Sequence, residues 1–189
     1  MATTQSSTAK SASKSSGRKT ASSRSKSTSK RASTRQKDAI QLLKADHREV
    51  EKLFGQFTKA RSGERKLQLA RKICMELRVH TEIEEEIIYP ASREVLKDDD
   101  IVNEAVVEHQ AAKDLIEQIE AMSDPSDEMF DAKMQVLQEQ IEHHVEEEEK
   151  EYFPQVKKTD LDLKAIGEQL AARKKELMAQ MQGDGMEMH

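Results

Sequence analysis

From Asp38 onward the apolar residues recur at steps of three and four, which is the spacing of one face of an α-helix. The first such segment carries Ile40, Leu43, His47 and Val50. Three further segments with the same period follow, separated by short stretches that contain serine, glycine or proline. Four amphipathic helices joined by short turns favour an all-α fold, an up-down-up-down four-helix bundle.

The four periodic segments span residues 38–156, which we predict to form the bundle. The second and fourth segments are expected to end near Pro90 and Pro154, because proline interrupts the interior of a helix. Residues 157–189 contain a fifth amphipathic segment and a polar tail. We expect this extra C-terminal helix to pack on the outside of the bundle.

The N-terminal 37 residues differ in charge from the rest of the chain. Residues 1–37 contain ten Lys or Arg and no acid, so they carry +10, whereas the remainder carries −15. Because residues 1–36 hold no Val, Ile, Leu or Phe, they cannot bury enough apolar surface to fold, and we predict a disordered basic arm. This arm could contact nucleic acid non-specifically, could act as an organelle targeting peptide, or could be a solvated tail.

Cysteine content and hydropathy indicate where the protein works. Cys74 is the single cysteine, so an intrachain disulfide is excluded and a reducing compartment is favoured. No stretch approaches 18 apolar residues, and the N-terminus lacks an apolar signal core. We therefore expect a cytoplasmic protein with no membrane association.

The apolar seam of each of the four segments contains one histidine. In the second and fourth segments, a glutamate follows the histidine at i+4, Glu84 and Glu148, one turn away on the same face. A buried carboxylate costs several kcal/mol unless it is paired or binds a metal, and no Lys or Arg lies in these seams. Imidazole nitrogen and carboxylate oxygen suit iron, manganese or zinc. The seam histidines are His47, His80, His109 and His144.

An internal repeat relates the two halves of the bundle. Residues 80–90 align with residues 144–154 with five of eleven positions identical, and a seam histidine precedes the two motifs by 33 and 35 residues. The chain thus contains two helix pairs, each with a His…His-x-x-x-Glu pattern, which predicts a symmetric pocket for two metal ions. If both glutamates bridge the ions and an oxo or hydroxo group is added, about one coordination position per ion stays open for a small ligand.

These motifs resemble the hemerythrin-like family, whose members are also called HHE cation-binding domains. The resemblance implies a non-haem centre of two iron ions, oxo- or hydroxo-bridged, that binds or senses O2 or NO or handles iron. The motifs are Asp46-His47, His80-x-x-x-Glu84-Glu85 with Tyr89-Pro90, Glu108-His109, and His144-x-x-x-Glu148-Glu149 with Phe153-Pro154. By position, the resemblance implies these metal ligands: His47, His80, Glu84, His109, His144 and Glu148.

The sequence departs from the oxygen-carrying members of that family in two places. Those carriers have His-x-x-x-His on the third helix, whereas here Lys113 stands four residues after His109. Their last carboxylate ligand follows its histidine by five residues, which would select Glu149. The internal repeat favours Glu148, and both glutamates stay open as the ligand.

Other metal-binding classes fit the sequence less well. No histidine is preceded by the Glu-x-x-His pattern of ferritin-like proteins, and the His-Glu-x-x-His motif of zinc proteases is absent. Two alternatives to a binding or sensing module stay open. One is a di-iron enzyme acting on peroxide or NO, for which we identify no catalytic side chain. The other is a nucleic-acid-associated iron protein tethered by residues 1–37.

Overall fold

The computed structural model describes residues 37–97 and 99–184, with side chains described as far as residue 181. These residues form helices and connecting turns, without a strand. The predicted disordered basic arm, apart from Lys37, lies outside the described residues, and so does the end of the predicted polar tail.

Four long helices close into the predicted bundle. The helical elements are α1 (Ala39–Lys59), α2 (Gly63–Ile83), a π-helical turn π1 (Glu84–Ile88), α3 (Tyr89–Arg93), α4 (Asp100–Glu120), α5 (Glu128–Glu147), a second π-helical turn π2 (Glu148–Tyr152), α6 (Phe153–Val156) and α7 (Leu163–Asp184). Helix α1 packs against α2, α2 against α4, α4 against α5, and α5 returns to α1. Helix α7 packs against the outside of α1 and α2. The all-α, up-down-up-down bundle with an extra C-terminal helix is therefore confirmed. Within the described residues, no helix has the length and apolar character needed to cross a membrane.

Polar side chains fix where the long helices begin. Asp38 accepts a hydrogen bond from the backbone N–H of Gln41, and the Gln41 side chain accepts one from the backbone N–H of Asp38. Ser62 and Asp127 cap α2 and α5 by accepting bonds from backbone N–H groups of the first turn. These caps satisfy donors that have no partner inside a helix, and each contributes about 1 kcal/mol.

The core consists of two apolar clusters with a polar layer between them. On α1, Leu43 belongs to one cluster, Val50 to the other, and His47 lies between them. The seams of α2 and α4 likewise pass from one cluster to the other near a histidine, and the seam of α5 reaches the other cluster beyond His144, at Tyr152 of π2. The two clusters bury enough Leu, Ile, Val and Phe to hold the four helices around this layer, at about 1.5–3 kcal/mol for each fully buried side chain.

The second and fourth segments end near their prolines, at Arg93 and Val156, but the prolines themselves do not interrupt them. Pro90 lies inside α3 and Pro154 inside α6, so the helical path continues beyond both. A proline ring clashes with the carbonyl group four residues before it, and those carbonyls belong to Glu86 and Lys150. Both lie in the wider turns π1 and π2, where the five-residue spacing accommodates the ring.

Each π-helical turn begins at a glutamate of the polar layer. The N–H of Tyr89 donates to the carbonyl of Glu84, and the N–H of Phe153 donates to that of Glu148. Inserting one residue into a helix rotates everything after it relative to what precedes it, and such insertions are frequent at functional sites. The two π turns therefore mark the two places where the repeat departs from regular helix.

Candidate metal centre

The six side chains predicted as metal ligands converge in the polar layer between the apolar clusters. All six are buried, with at most 5 % of any of them exposed. They come from α1, α2, π1, α4, α5 and π2. The structure brings together His47, His80, Glu84, His109, His144 and Glu148.

The four histidines form two pairs through their Nε2 atoms. Nε2 of His47 lies 3.2 Å from Nε2 of His80, and Nε2 of His109 lies 3.1 Å from Nε2 of His144. Two nitrogens that each lie about 2.1 Å from one ion at a right angle are about 3 Å apart. The spacing within each pair therefore suits two ligands of the same ion.

Glu84 reaches one histidine of each pair. Its Oε2 atom lies 3.2 Å from Nε2 of His80 on the preceding turn and 3.4 Å from Nε2 of His109 on α4. Glu84 itself is completely buried. A carboxylate between two histidine pairs is placed as a bridging ligand would be.

Glu148 is the counterpart of Glu84 in the second half. Its Oε2 atom lies 3.3 Å from Nε2 of His47 and 3.7 Å from Nε2 of His144. Glu149, the alternative that the sequence left open, instead lies outside the four Nε2 atoms, where its carboxylate contacts Nδ1 of His47 at 3.0 Å. The structure therefore brings Glu148, and not Glu149, to the inner face of the histidines.

Protein groups alone leave Glu84 and Glu148 short of hydrogen-bond partners. Both oxygens of Glu84 and Oε2 of Glu148 are buried without a hydrogen-bond partner among the described residues. Burial, and then the charge of Glu148, raises the pKa of Glu84 well above its ordinary value. Burial alone would also raise the pKa of Glu148, but the charge of His144 and contacts with His47 outweigh it and lower that pKa. Divalent cations would satisfy both carboxylates, so the donor set fits a metal pair.

Carboxylates outside the pocket orient three of the histidines. Because each of these acids is ionised and can only accept, the histidine Nδ1 must donate, which leaves the lone pair of Nε2 directed inward. The pKa of Glu85 is lowered chiefly by its bond from His109, and that of Glu108 by its bond from His144. Such carboxylate–histidine contacts fix the tautomer that a metal requires. The bonds join His47 to Glu149 at 3.0 Å, His109 to Glu85 at 2.9 Å, and His144 to Glu108 at 2.8 Å.

The fourth histidine, His80, faces a carboxylate at a longer distance. Its Nδ1 lies 3.8 Å from Oδ2 of Asp46, while the other oxygen of Asp46 contacts Lys174 Nζ at 2.8 Å. The structure places the Asp46 side chain, 14 % exposed, between His80 and α7.

Lys113 does not replace the fifth histidine of the oxygen carriers at the pocket. Its Nζ contacts both carboxylate oxygens of Glu85, at 2.8 and 2.7 Å, on the outer side of His109. Glu149 is likewise held by Lys44 and Arg48. Cations therefore neutralise Glu85 and Glu149, whereas Glu84 and Glu148 have no Lys or Arg partner among the described residues.

Tyr89 brings a hydroxyl group to the edge of the pocket. Its O–H donates to Oε1 of Glu148 at 3.0 Å, and its oxygen lies 3.4 Å from Nε2 of His109. Burial, and then the charge of Glu148, raises the pKa of Tyr89 well above its ordinary value. The hydroxyl group therefore stays protonated and acts as a donor in the metal-free protein.

A small cavity adjoins the histidines on the side away from the glutamates' π turns. Its volume is about 10 Å³, and its apolar wall includes Val50, Leu77, Ile141 and Val145. A larger surface cleft of about 490 Å³ between α1 and α5 shares Val50, Ile141 and Val145 with it. His47 also lines both spaces, so the cleft reaches one histidine of the polar layer.

Sequence reasoning did not assign the outer carboxylates as a group. An acid precedes a seam histidine twice, as Asp46 and Glu108, and a second acid follows a central glutamate twice, as Glu85 and Glu149. The internal repeat therefore contained the signal. It was overlooked because neighbouring residues on a helix face different directions, and their partners come from other helices.

Comparison with known proteins agrees with this geometry. A protein named DNA nickase from Nostoc sp. strain PCC 7120 is 30 % identical over 126 residues, which are 66 % of this chain and 35 % of the relative, so the chain spans about a third of that protein. The crystal structure of a hemerythrin HHE cation binding domain-containing protein from Mycobacterium kansasii has a TM-score of 0.66 and 26 % identity, covering 76 % of this chain and 89 % of that one. The family model of the hemerythrin HHE cation binding domain matches residues 38–156. The chain therefore belongs to the hemerythrin HHE cation-binding domain family.

Proposed function

We propose that this chain is a di-iron protein that binds or senses O2 or NO. The observation that carries the proposal is that each of two buried glutamates contacts one histidine of both pairs. One ion would be held by His47 and His80 and the other by His109 and His144, with Glu84 and Glu148 between them.

Iron is preferred over zinc or manganese because of the family to which the chain belongs, and the donor chemistry is compatible with it. Nitrogen and carboxylate oxygen suit iron, and the one thiol, Cys74, is buried in an apolar cluster away from the histidines. Burial raises the pKa of Cys74 to about 12, so it is not a thiolate ligand. When bound, the iron pair supplies redox activity and an open coordination position. A cytoplasmic location, where thiols stay reduced, is part of the proposal.

The surrounding side chains support binding of a very small ligand. The adjoining cavity of about 10 Å³ approaches the volume that one water molecule needs, and its walls are apolar. Val50, Ile141 and Val145 form an apolar wall of this cavity beside the histidines. A space of this size excludes an extended organic substrate.

The test is a ligand titration of the iron-loaded protein. We would load the metal-free protein with Fe²⁺ anaerobically, add O2 or NO in steps, and record the absorption spectrum before and after degassing. A spectral change at about one ligand per iron pair that reverses on degassing supports binding or sensing. Steady consumption of NO or peroxide, at a rate above that of free iron, would show the di-iron enzyme instead.

A variant in the cavity wall gives the matched control for this titration. Leu77→Phe fills space beside the histidines without changing any proposed ligand. It should retain two irons per chain and bind NO more weakly than the wild type. If Leu77→Phe binds NO as tightly as the wild type, the ligand does not enter this cavity.

Nucleic-acid association is a second candidate function, favoured by a separate observation. Residues 1–37 carry +10 without an acid, and one relative of the bundle is named a DNA nickase. In this proposal the chain divides into a basic arm (1–37), a metal-binding bundle (38–156) and a C-terminal helix with its tail (157–189). Full-length protein should bind duplex DNA with an affinity that falls steeply with salt, and deletion of residues 1–36 should abolish it. Unchanged binding by the truncated protein would refute the tether.

A further inference from the structure

Helix α7 is fitted closely against the start of the bundle. Ile166, Leu170 and Leu177 are buried in the apolar cluster that also contains the first turn of α1. A Cβ atom on Gly167 would lie 2.7 Å from the backbone nitrogen of Ala39, so only glycine permits this approach. The close fit fixes where the polar residues of α7 meet α1 and α2.

Lys174 is the residue of α7 that meets buried carboxylates. Its Nζ lies 2.8 Å from Oδ1 of Asp46 and 3.4 Å from Oε2 of Glu76, whose side chains are only 14 % and 11 % exposed. Two nearly buried acids therefore share one cation. Removing that cation would leave both charges uncompensated, which is strongly unfavourable for groups in this position.

Asp46 connects Lys174 to a predicted metal ligand. Its second oxygen, Oδ2, faces Nδ1 of His80 at 3.8 Å, which is an ion-pair distance, and neither atom has a hydrogen-bond partner among the described residues. The other three histidines of the pocket already hold carboxylates at 2.8 to 3.0 Å through Nδ1. His80 is thus the pocket histidine whose outer contact is held in place from α7.

We propose that α7 controls the metal affinity of the His47–His80 half of the centre, with Lys174 as a positioning residue that acts through Asp46. This inference rests on the proposed function and deepens it. Lys174 holds Asp46 beside Nδ1 of His80, which keeps the Nε2 lone pair of that histidine directed into the pocket. Because α7 lies beyond residues 38–156, this control is an addition to the matched family domain.

The other half of the centre has an equivalent that does not involve α7. Lys113 of α4 holds Glu85, which accepts a hydrogen bond from Nδ1 of His109. Two lysines therefore support two different halves, one from inside the bundle and one from the added helix. Lys113→Met should weaken metal binding in the half that contains His109, and Lys174→Met should weaken it in the half that contains His80.

The experiment compares stepwise Fe²⁺ affinities in the full chain by anaerobic calorimetry. In Lys174→Met, the affinity for one of the two ions should fall roughly 10–100-fold, the usual effect of losing an outer contact of a ligand, while the other ion binds normally. Lys174→Arg keeps a cation and should restore most of the loss. Arg173→Met is the docking control, since Arg173 joins α7 to Glu86 at 2.6 and 2.8 Å without contacting Asp46, and it should bind both ions normally.

A second readout needs no metal. In ¹⁵N-histidine-labelled, metal-free protein, side-chain NMR reports which ring nitrogen carries the proton. Lys174→Met should change the tautomer signature of His80 and leave that of His109 unchanged, and Lys113→Met should do the reverse. Circular dichroism confirms that each variant keeps its helices.

The results separate this inference from the proposed function. If the wild type binds no iron, the di-iron proposal fails, and the histidine NMR still decides whether Lys174 positions His80. If the wild type binds two irons and Lys174→Met matches it in both affinities and in the His80 signature, the inference is overturned and the di-iron proposal stands. Equal losses in Arg173→Met and Lys174→Met would also overturn it, because α7 would then act only by docking.

Discussion

The hydroxyl group of Tyr89 donates a hydrogen bond of 3.0 Å to Oε1 of Glu148, joining the first half of the internal repeat to the second. The repeat-equivalent residue, Phe153, stacks on His47 with ring centroids 5.9 Å apart and has no donor. Tyr89 stacks in the same manner on His109. At this pair of stacked rings the two halves therefore differ by one hydroxyl group, on the His109 side.

Replacing this hydroxyl group should cost stability and leave the iron content unchanged. In metal-free Tyr89→Phe, we expect the free energy of unfolding to fall by about 1.5–3 kcal/mol, because a hydrogen bond to an ionised carboxylate is lost. Tyr152→Phe is the control: its hydroxyl group bonds Ser92 at 2.9 Å, and the loss should be about 0.5–1.5 kcal/mol. Urea denaturation measures both values. An iron content of one in Tyr89→Phe would show that Tyr89 is itself a ligand.

Neutralising Glu84 should stabilise the metal-free protein. The pKa of Glu84 is higher in the folded protein than in the unfolded chain. Its contribution to stability is therefore present at a pH below the pKa of the unfolded chain, and it is lost as the pH rises through the pKa of the folded protein. At neutral pH, the free energy of unfolding of metal-free Glu84→Gln, measured by urea denaturation, should therefore exceed that of the wild type by about 1–4 kcal/mol. The difference should be smaller near pH 5.

Glu149→Gln should change stability in the opposite direction to Glu84→Gln. The pKa of Glu149 is lowered to about 2, since its contacts with Lys44, His47 and Arg48 outweigh burial. Its contribution is present above the unfolded pKa and is lost as the pH falls toward 2, so Glu149→Gln should be destabilising at neutral pH. A Glu84→Gln variant that is also less stable than the wild type would contradict the raised pKa.

Metal binding should release protons from the pocket. The raised pKa of Glu84 keeps a proton on the metal-free protein, and a metal-bound carboxylate must lose it. Calorimetric titration with Fe²⁺ in two buffers of different ionisation enthalpy should show release of about one proton from this group, with affinity increasing with pH. The proton released from Glu84 in the wild type should be missing when Glu84→Gln is titrated. Identical heats in both buffers for the wild type would refute proton release.

Two glycines should respond oppositely to substitution by alanine. At Gly167 a Cβ atom would approach the backbone of residues 37–39 to 2.7–2.8 Å, whereas at Gly55, inside α1, it would meet nothing within 4 Å. Gly167→Ala should lower the thermal unfolding midpoint at a cost of about 1–3 kcal/mol. Gly55→Ala should raise it, by about 0.5–1 kcal/mol, because alanine favours helix. Unchanged stability in Gly167→Ala would mean that α7 is not held as closely as the structure indicates.

The sequence determined the bundle because each seam repeats one simple signal. Spacing of three and four placed Leu43, His47 and Val50 on one face, and the structure buries all three. Which histidines are buried could be predicted for the same reason. Each one interrupts an apolar stripe, so it had to face the core once the helix formed.

The π turns and the outer carboxylates lie beyond what such periodicity can predict. An i+4 relation between His80 and Glu84 is compatible with regular helix up to the glutamate, and nothing before Pro90 indicates that the next turn is widened. The contact of Lys174 with Asp46 joins positions 128 residues apart, so it depends on how α7 docks rather than on local pattern. Side-chain pairing between helices is decided by packing, which one sequence does not encode as a period.

Iron content per chain tests the central claim most directly. After anaerobic reconstitution with Fe²⁺ and desalting, elemental analysis and absorption spectra should be recorded before and after exposure to air. We predict close to two irons per chain in the wild type, with oxo-bridged ferric absorption bands appearing in air, and a marked loss of iron in His80→Ala and His144→Ala. A wild-type chain that retains no iron, or that binds two irons equally well without these histidines, would contradict the account.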